Sequence, residues 1–298
     1  MMRIVHLAPP WISIPPKHYG GTENVIYTLV EEQVAQGHAV TLLAPGDART
    51  SARQISFFAQ SLLESGVPWQ SHPKAFYHIY KSVEYVQKHL RDFDILHTHL
   101  SSASDLYVFP LTSTLKLPHV TTLHSQFPFD RIKDEWLGDA DKYYMEWLSQ
   151  VPMVAISESA RRQEMGKFSL NFIDVVHHGV DFKNCPPPAP AEDFFMWVGR
   201  IVPEKGLDLA IQAAKQANVP LIIAGLVDLG IPRARSYFEE KIEPEIDGQQ
   251  IRYVGPVNGR ERDYFLRRAR GLLNPLQWEE PFGMVMLEAM AVGCPVIA

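Results

Sequence analysis

The chain has 298 residues, of which 46% are hydrophobic and 21% charged, so it is globular and long enough for two domains. Its 28 basic and 34 acidic side chains give a net charge of −6, which excludes the basic footprint of a nucleic-acid-binding protein. No apolar run has the length of a transmembrane helix, and the first residues do not resemble a signal peptide; a peripheral membrane contact stays open. Cys185 and Cys294 lack metal-type spacing and are expected to be free thiols in the cytoplasm.

Short apolar strands alternate with helical patterns along residues 1–184, which we interpret as the first domain. Residues 3–8 are predicted to be a strand, and residues 23–36 a helix that ends at Gly37. The other predicted helices of this half are 77–90, 104–115, 134–148 and 158–167, and the other strands are 39–44, 94–97, 119–123, 153–156 and 173–177. Such alternation predicts a parallel sheet with helices on both faces.

The segment 185–192 contains four prolines in five positions, which no central strand or helix interior accommodates. We interpret it as a stiff interdomain linker, with a surface loop inside one domain as the alternative. The second domain, 193–298, is predicted to contain strands 194–198, 221–224, 251–254, 271–274 and 295–297 and helices 207–217, 233–245, 261–269 and 284–292. Two doubly wound Rossmann-like domains predict a ligand cleft between the carboxyl ends of their strands.

The segment 279–290 has the most unusual charge pattern of the chain. Glu288 is the only charged residue in the apolar run 284–292, which is predicted to be a helix buried on all sides. A buried carboxylate requires a polar partner, and we expect a ligand to be that partner. Glu280 lies eight residues upstream, on the loop that enters the helix, and is expected to face the same ligand.

Two other loops between a strand and a helix carry candidate ligand contacts. Arg200 and Lys205 follow the first strand of the second domain, and two cations beside a helix N-terminus suit an anionic diphosphate. A solvated loop with ordinary surface charges is the alternative. Gly20 and Gly21 precede the first long helix, where bare amides suit an anion or a sugar, although paired glycines there are more often only a turn.

Histidines stand at or just beyond predicted strand ends, at positions 97, 99, 124, 177 and 178. Each by itself is typical of a hydrogen-bonded structural histidine, and His124 is the strongest functional candidate. Their spacing matches no zinc motif and no cysteine accompanies them, so no metal site is predicted. Asp92-Phe93-Asp94 is not interpreted as a metal site either, because Asp94 opens a strand at the end remote from the expected cleft.

Together these residues resemble retaining glycosyltransferases of family 4, which have the GT-B fold. The matching segments are 20–21, 37–40, 94–99, 155–159, 178–181, 198–206 and 280–291. The last two are the most specific, since they hold Val198-Gly199-Arg200 with Glu204-Lys205-Gly206, and Glu280-Pro281-Phe282-Gly283 with Leu287-Glu288-Ala289. Gly20-Gly21-Thr22-Glu23 is similar to a branch of the family that includes the avilamycin transferase.

The resemblance implies a hexosyltransferase that uses a nucleotide-sugar donor and needs no metal or other cofactor. Arg200 and Lys205 would neutralise the donor diphosphate, Glu280 would hold sugar hydroxyls, and Glu288 would accept hydrogen bonds from the ribose. The remaining contacts implied are the backbone amides of Phe282, Gly283, Met284 and Val285, the loop residues Gly20 and Gly21, and His124 near the reacting carbon. Configuration would be retained by a front-face mechanism, in which the leaving phosphate helps to take the acceptor's proton.

Two features depart from the family. His178 replaces the asparagine that commonly precedes Gly-Val-Asp, and the chain ends at Ala298, before the usual long C-terminal helix, so the second domain is expected to be incomplete. Uridine is the expected donor base, with guanosine and adenosine as alternatives. The acceptor is not identified; it is expected to face the aromatic and proline-rich loops 9–17 and 125–133. A nucleotide-sugar epimerase of the same fold and a non-catalytic nucleotide-sugar-binding protein are alternative functions.

Overall fold

Two parallel β-sheets organise the chain in the computed structural model, one in each of two compact units. The structure describes residues 1–18, 20–68, 71–125, 143, 146–167, 169–227 and 231–298. The first unit comprises residues 1–16 and 20–179, and the second comprises 180–298 together with the short segment 17–19. Within the described residues, no helix is both long enough and apolar enough to cross a bilayer.

The described part of the first unit contains a seven-stranded sheet in which every neighbouring pair is parallel. Its strands are β1 (Arg3–Leu7), β2 (Ala39–Leu43), β3 (Arg53–Ile55), β4 (Ile95–Leu100), β5 (His119–Leu123), β6 (Met153–Ala155) and β7 (Phe172–Val175). Its helices are α1 (Gly21–Ala35), α2 (His72–Lys88), α3 (Val108–Thr112) and α4 (Glu158–Lys167). The order β3-β2-β1-β4-β5-β6-β7 reverses direction between β1 and β4, which is where open α/β sheets bind ligands.

Helices cover both faces of this sheet. Val5 and Leu7 of β1 pack in one apolar cluster with Ile79 of α2, whereas Leu42 of β2 packs in another with Ile26 of α1. Because successive strand side chains alternate between faces, His6 lies on the face opposite to Val5 and Leu7.

The described residues of the second unit form a five-stranded parallel sheet in the order β10-β9-β8-β11-β12. Its strands are β8 (Phe195–Arg200), β9 (Leu221–Leu226), β10 (Ile251–Gly255), β11 (Gly271–Leu273) and β12 (Val296–Ile297). Its described α-helices are α5 (Leu207–Gln216), α6 (Pro232–Tyr237), α7 (Gly259–Leu266) and α8 (Met284–Ala291). The strand order reverses between β8 and β11, so the loops that follow these two strands emerge side by side. The predicted pair of doubly wound sheets is confirmed.

The predicted elements differ from the structure in a few places. β3 was not predicted, and the predicted helix 104–115 is a 3-10 turn, Ala103–Tyr107, followed by α3. The predicted helix 233–245 is α6 followed by a π-helical turn and a 3-10 turn, because Pro244 has no N–H to continue the α-helical ladder. The predicted helix 134–148 and the loop 125–133 lie largely outside the described residues.

The proline-rich segment 185–192 lies against the second unit. The Ala189 N–H donates to the Arg267 carbonyl at 3.2 Å, and the Glu192 N–H donates to the Arg268 carbonyl at 2.7 Å. The linker role and the domain limits assigned to this segment stay predictions. Cys185 and Cys294, expected to be free thiols, are both free.

Candidate functional site

The loop between β8 and α5 places two cations at the carboxyl edge of the second sheet. Arg200 is the exposed last residue of β8, and Lys205 ends a 3-10 turn. Gly206 precedes α5 as its N-cap with φ 63°, and a Cβ at this position would lie 1.9 Å from the Pro275 carbonyl oxygen. Only glycine accommodates both the conformation and this close approach. The β8–α5 loop is therefore packed directly against the chain that follows β11.

This packing brings Lys205 to Glu280, and the two side chains form an ion pair. The indole nitrogen of Trp278 donates a hydrogen bond of 2.9 Å to the same carboxylate oxygen, Oε2. The Lys205 ammonium also lies 5.0 Å from the centre of the Trp278 ring, which is cation–π distance. The Lys205 and Glu280 side chains are only 16% and 19% exposed, so both groups are held in place. We name Lys205, Trp278 and Glu280 the lysine–glutamate cluster.

Glu288 has a charged partner inside the chain. Its Oε1 lies 2.5 Å from Nη1 of Arg262 on α7, and the same guanidinium donates two hydrogen bonds to Asp263. Burial raises the pKa of Glu288, and the positive charge of Arg262 opposes this shift. The expectation that a ligand is needed to compensate the carboxylate is therefore wrong, because Arg262 already does so. Binding of ribose by Glu288 stays a prediction.

Helix α8 is also less buried than its sequence predicts. Only Ala289 is fully buried, and Met290 is 57% exposed, so the expectation of burial on all sides is wrong. The helix begins after Gly283, whose φ of 85° favours glycine. The first amides of an α-helix have no partner within the helix, and Met284 and Val285 supply the first two amides of α8. Their contact with an anion stays a prediction.

A pocket of about 450 Å³ lies where β10 ends and α7 begins. Its lining residues are Val254, Pro256, Val257, Arg260, Glu261, Tyr264 and Phe265. Three of them pack in the same apolar cluster as Val285, which connects the pocket wall to the first turn of α8. An apolar concavity with charged residues in its lining suits a flat heterocycle. These residues carry no motif that predicts a site from the sequence; the available signal was the turn formed by Gly255 and Pro256 after a strand.

In the first unit, Gly20 and Gly21 have different surroundings. A Cβ on Gly20 would lie 2.6 Å from Cβ of Pro16, so packing alone requires glycine there. A Cβ on Gly21 would have none of the described atoms within 4 Å, which leaves the start of α1 open. At the opposite edge of this sheet, Asp94 of the rejected Asp-Phe-Asp motif forms an ion pair of 2.6 Å with Arg3.

The structure connects His99 and His124 to His178 and to His6, a residue that no sequence pattern indicated. His124 uses both of its ring nitrogens: Nε2 lies 2.9 Å from Nδ1 of His99, and Nδ1 lies 3.3 Å from Nε2 of His178. Burial lowers the pKa of His124 well below its usual value, with the neighbouring histidines acting in the same direction. The imidazole of His124 is therefore neutral and oriented by its neighbours.

Comparison with known proteins agrees with this architecture. The family model described as Glycosyltransferase Family 4 matches residues 19–184, and the model described as Glycosyl transferases group 1 matches residues 184–298. The phosphatidyl-myo-inositol mannosyltransferase of Mycobacterium leprae (strain TN) is 24% identical over 314 residues, which cover 100% of this chain and 78% of the relative.

Two solved structures show the same fold. Sucrose-phosphate synthase from Thermosynechococcus elongatus superposes with a TM-score of 0.75 at 19% identity, covering 99% of this chain and 81% of that one. Anabaena HepE, crystallised with UDP and glucose, superposes with a TM-score of 0.70 at 16% identity, covering 99% of this chain and 80% of that one. The predicted GT-B fold is confirmed, and the chain belongs to glycosyltransferase family 4 and is a transferase enzyme.

Proposed function

We propose that the protein transfers a hexose, with retention of configuration, from a nucleoside-diphosphate sugar to an acceptor that awaits identification. The observation that carries this proposal is the lysine–glutamate cluster beside the first turn of α8. It combines a fixed cation, a fixed carboxylate and the Met284 and Val285 amides, which have no partner inside the helix, at the carboxyl edge of a parallel sheet. Those groups match the charges and hydroxyls of a sugar diphosphate.

The donor diphosphate is assigned to Arg200, Lys205 and the first amides of α8. These groups would neutralise the charge that develops on the leaving phosphate, which is the main electrostatic demand of the reaction. Because the positive charge comes from side chains, we expect transfer to continue when divalent cations are chelated.

The donor sugar is assigned to Glu280. Lys205 and Trp278 both contact its Oε2, and no hydrogen bond from a described residue reaches Oε1. Oε1 is therefore the oxygen assigned to the sugar hydroxyls. A carboxylate held in this way is suited to binding and not to proton transfer, so Glu280 and Glu288 are not assigned as the acid and base of a glycosidase.

The nucleoside is assigned to Glu288 and to the pocket between β10 and α7. Arg262 compensates the Glu288 carboxylate through Oε1, so the other oxygen, Oε2, is the one assigned to the ribose hydroxyls. The pocket volume of about 450 Å³ lies in the range of small-molecule sites. UDP in the crystal structure of HepE supports testing uridine first, with GDP and ADP as the alternatives. The contacts of Gly20, Gly21 and His124 with the donor stay predictions from the family resemblance.

Calorimetric titration with UDP, GDP and ADP tests the donor site directly. We expect saturable binding of one of them and a loss of tenfold or more in Lys205→Ala, because a charged hydrogen bond contributes about 1.5–3 kcal/mol. Lys215→Ala is the matched control, since Lys215 forms an exposed ion pair with Glu245 and lies outside the cluster. Absence of binding at millimolar nucleotide, or equal losses in the two variants, would refute the assignment.

Product analysis separates transfer from the alternatives. With UDP-glucose and a panel of alcohol acceptors, NMR of the product should show an α-anomeric linkage, because an α-linked donor is transferred with retention. A β-linked product would refute retention. Epimerised donor formed without any acceptor would favour the epimerase, and donor binding without turnover would favour a binding protein.

A further inference from the structure

Four buried or half-buried imidazoles form a continuous hydrogen-bonded row in the first unit, which we name the histidine chain. It starts at Gln33 of α1, whose Oε1 lies 2.7 Å from His6 Nε2. His6 Nδ1 lies 3.0 Å from His99 Nε2, and His99 Nδ1 lies 2.9 Å from His124 Nε2. His124 Nδ1 in turn lies 3.3 Å from His178 Nε2. Each link joins Nδ1 of one ring to Nε2 of the next.

The parallel sheet builds this row from neighbouring strands. His6 on β1 is paired in register with His97 on β4, and His99 follows two residues later on the same face. His99 is paired with Thr122 on β5, and His124 follows two residues after that. His97 packs beside the row without being part of it. The centre of its ring lies 4.3 Å from that of His99, and its Nε2 lies 2.8 Å from the Thr122 hydroxyl.

The orientation of the Gln33 carboxamide, whose oxygen faces His6, determines where every proton of the row lies. A carboxamide oxygen only accepts, so His6 must carry its proton on Nε2. His6 Nδ1 is then an acceptor, which requires His99 to donate from Nε2. The same step repeats at His124 and at His178, so all four rings are Nε2–H tautomers. If one inner ring were the Nδ1–H tautomer, two donors would face each other on one side of it and two acceptors on the other side.

Burial keeps the row uncharged. It lowers the pKa of His6 and of His178 to about 4, and it lowers the pKa of His99 and His124 well below the usual value. At pH 7 a ring with a pKa of about 4 is protonated in only about one molecule in a thousand. In a neutral row of this kind, the tautomer and orientation of each ring depend on the preceding ring, and the row carries no extra proton.

We propose that Gln33 is a positioning residue that sets the tautomer and the orientation of His124 through His6 and His99. The assignment of His124 to the donor sugar rests on the proposed function, whereas the tautomer of His124 does not. His178, which replaces the usual asparagine of the family, supplies the N–H that His124 Nδ1 accepts. This chain thereby fixes both ring nitrogens of His124.

A metal ion is the competing use of these side chains. His6, His97 and His99 offer nitrogen atoms that all lie within 4.8 Å of one another. Zinc with bonds of about 2.0–2.1 Å brings tetrahedral nitrogen ligands to about 3.3 Å from one another. His97 and His99 are stacked face to face, a geometry that does not converge two lone pairs on one point. Coordination would also remove the proton of His99 Nε2 and break the row, so the geometry favours the hydrogen-bonded row.

The direct test is a long-range proton–nitrogen NMR spectrum of the full chain labelled with nitrogen-15 histidine, recorded at pH 8. Substitution of single histidines assigns the signals of the 12 histidines. We expect the Nε2–H pattern for His6, His99, His124 and His178. Nδ1–H tautomers or imidazolium at His99 and His124 would overturn the proposal, as would binding of one equivalent of Zn²⁺ that removes the four signals.

Substitutions of Gln33 test its role in setting the tautomer. Gln33→Glu keeps an acceptor and should preserve the Nε2–H pattern, whereas Gln33→Met removes it and should give mixed tautomers at His124. Gln36→Met is the matched control, because Gln36 is exposed beyond the same helix and its side chain bonds to Glu32, away from the histidine chain. Unchanged tautomers in Gln33→Met would overturn the proposal whether or not the protein proves to be a transferase.

An activity measurement then connects the tautomer to the chemistry. Gln33→Met should lower kcat for UDP-glucose turnover about tenfold and leave the Kd for UDP within twofold of the parent value. If the parent protein does not bind UDP, the proposed donor is refuted, but the tautomers measured by NMR are unaffected. Altered tautomers with unchanged kcat would refute the positioning role of Gln33.

Discussion

Replacement of Arg262 by Met tests how Glu288 is stabilised. The pair is mostly buried, with side chains 19% and 12% exposed. Removing one partner from a fully buried pair costs about 3–5 kcal/mol, and an exposed pair contributes less than about 1 kcal/mol. We therefore expect the free energy of unfolding to fall by about 2 kcal/mol, measured by urea denaturation at pH 8.

The pH dependence of this loss identifies its cause. Burial already raises the pKa of Glu288 above its unfolded value, and removal of Arg262 raises it further. A carboxyl group with a raised folded-state pKa contributes full stability below its unfolded pKa, and that stability is lost as pH rises through the folded pKa. The loss of unfolding free energy in Arg262→Met should therefore be largest at pH 8 and become smaller as the pH falls toward 5.

Two further variants complete the experiment. Adding Glu288→Gln to Arg262→Met removes the unpaired carboxylate and should recover more than half of the loss at pH 8. Lys215→Met breaks an exposed ion pair, with side chains 41% and 43% exposed, and should cost less than about 1 kcal/mol. A deficit that does not depend on pH, or one that the double variant fails to reduce, would refute this account of Glu288.

Four other substitutions have defined outcomes. In urea denaturation, Gly206→Ala should lower the free energy of unfolding by more than about 3 kcal/mol, because its Cβ would lie 1.9 Å from a backbone oxygen. Gly248 has a similar φ and open surroundings, so Gly248→Ala should lower the free energy of unfolding by only about 1–2 kcal/mol. Trp278→Phe removes the 2.9 Å hydrogen bond to the cluster carboxylate, so calorimetry should show about tenfold weaker UDP-glucose binding with UDP binding little changed. Tyr237→Phe removes a buried hydroxyl that donates one hydrogen bond and accepts another, and should cost about 1–2 kcal/mol. Three results would contradict these expectations. They are equal losses of stability in the two glycine variants, equally weakened binding of UDP-glucose and UDP by Trp278→Phe, and an unchanged stability of Tyr237→Phe.

Periodicity predicted the sheets because short β-rich runs alternate with helical patterns along the chain. β5 and α4 have their predicted bounds. β3 was missed because its three residues, Arg53 to Ile55, are only partly buried at the sheet edge and carry no alternation. Helix 233–245 was predicted as continuous because a helical pattern does not show how Pro244 changes the hydrogen-bond ladder.

The candidate site shows what local patterns leave out. Glu288 was correctly recognised as an unusual charge, but its partner Arg262 lies on another helix, and no spacing rule connects the two positions. Lys205 and Glu280 were each singled out, yet their ion pair depends on β8 and β11 being neighbours in the sheet. Sequence patterns identify which residues carry chemistry, and strand order determines which of them meet.

Strand register adds a further constraint that explains why His6 escaped notice. Its neighbours Val5 and Leu7 are buried in the core with α2, so β1 resembles an ordinary apolar strand with one polar interruption. A shift of β1 by one residue against β4 would move His6 to the face of Val5 and Leu7 and place apolar side chains beside Gln33 and His99. The histidine chain and the hydrophobic core therefore depend on the same register. A core substitution that loosened this register should disturb the tautomer of His124 without any change in the residues that contact it.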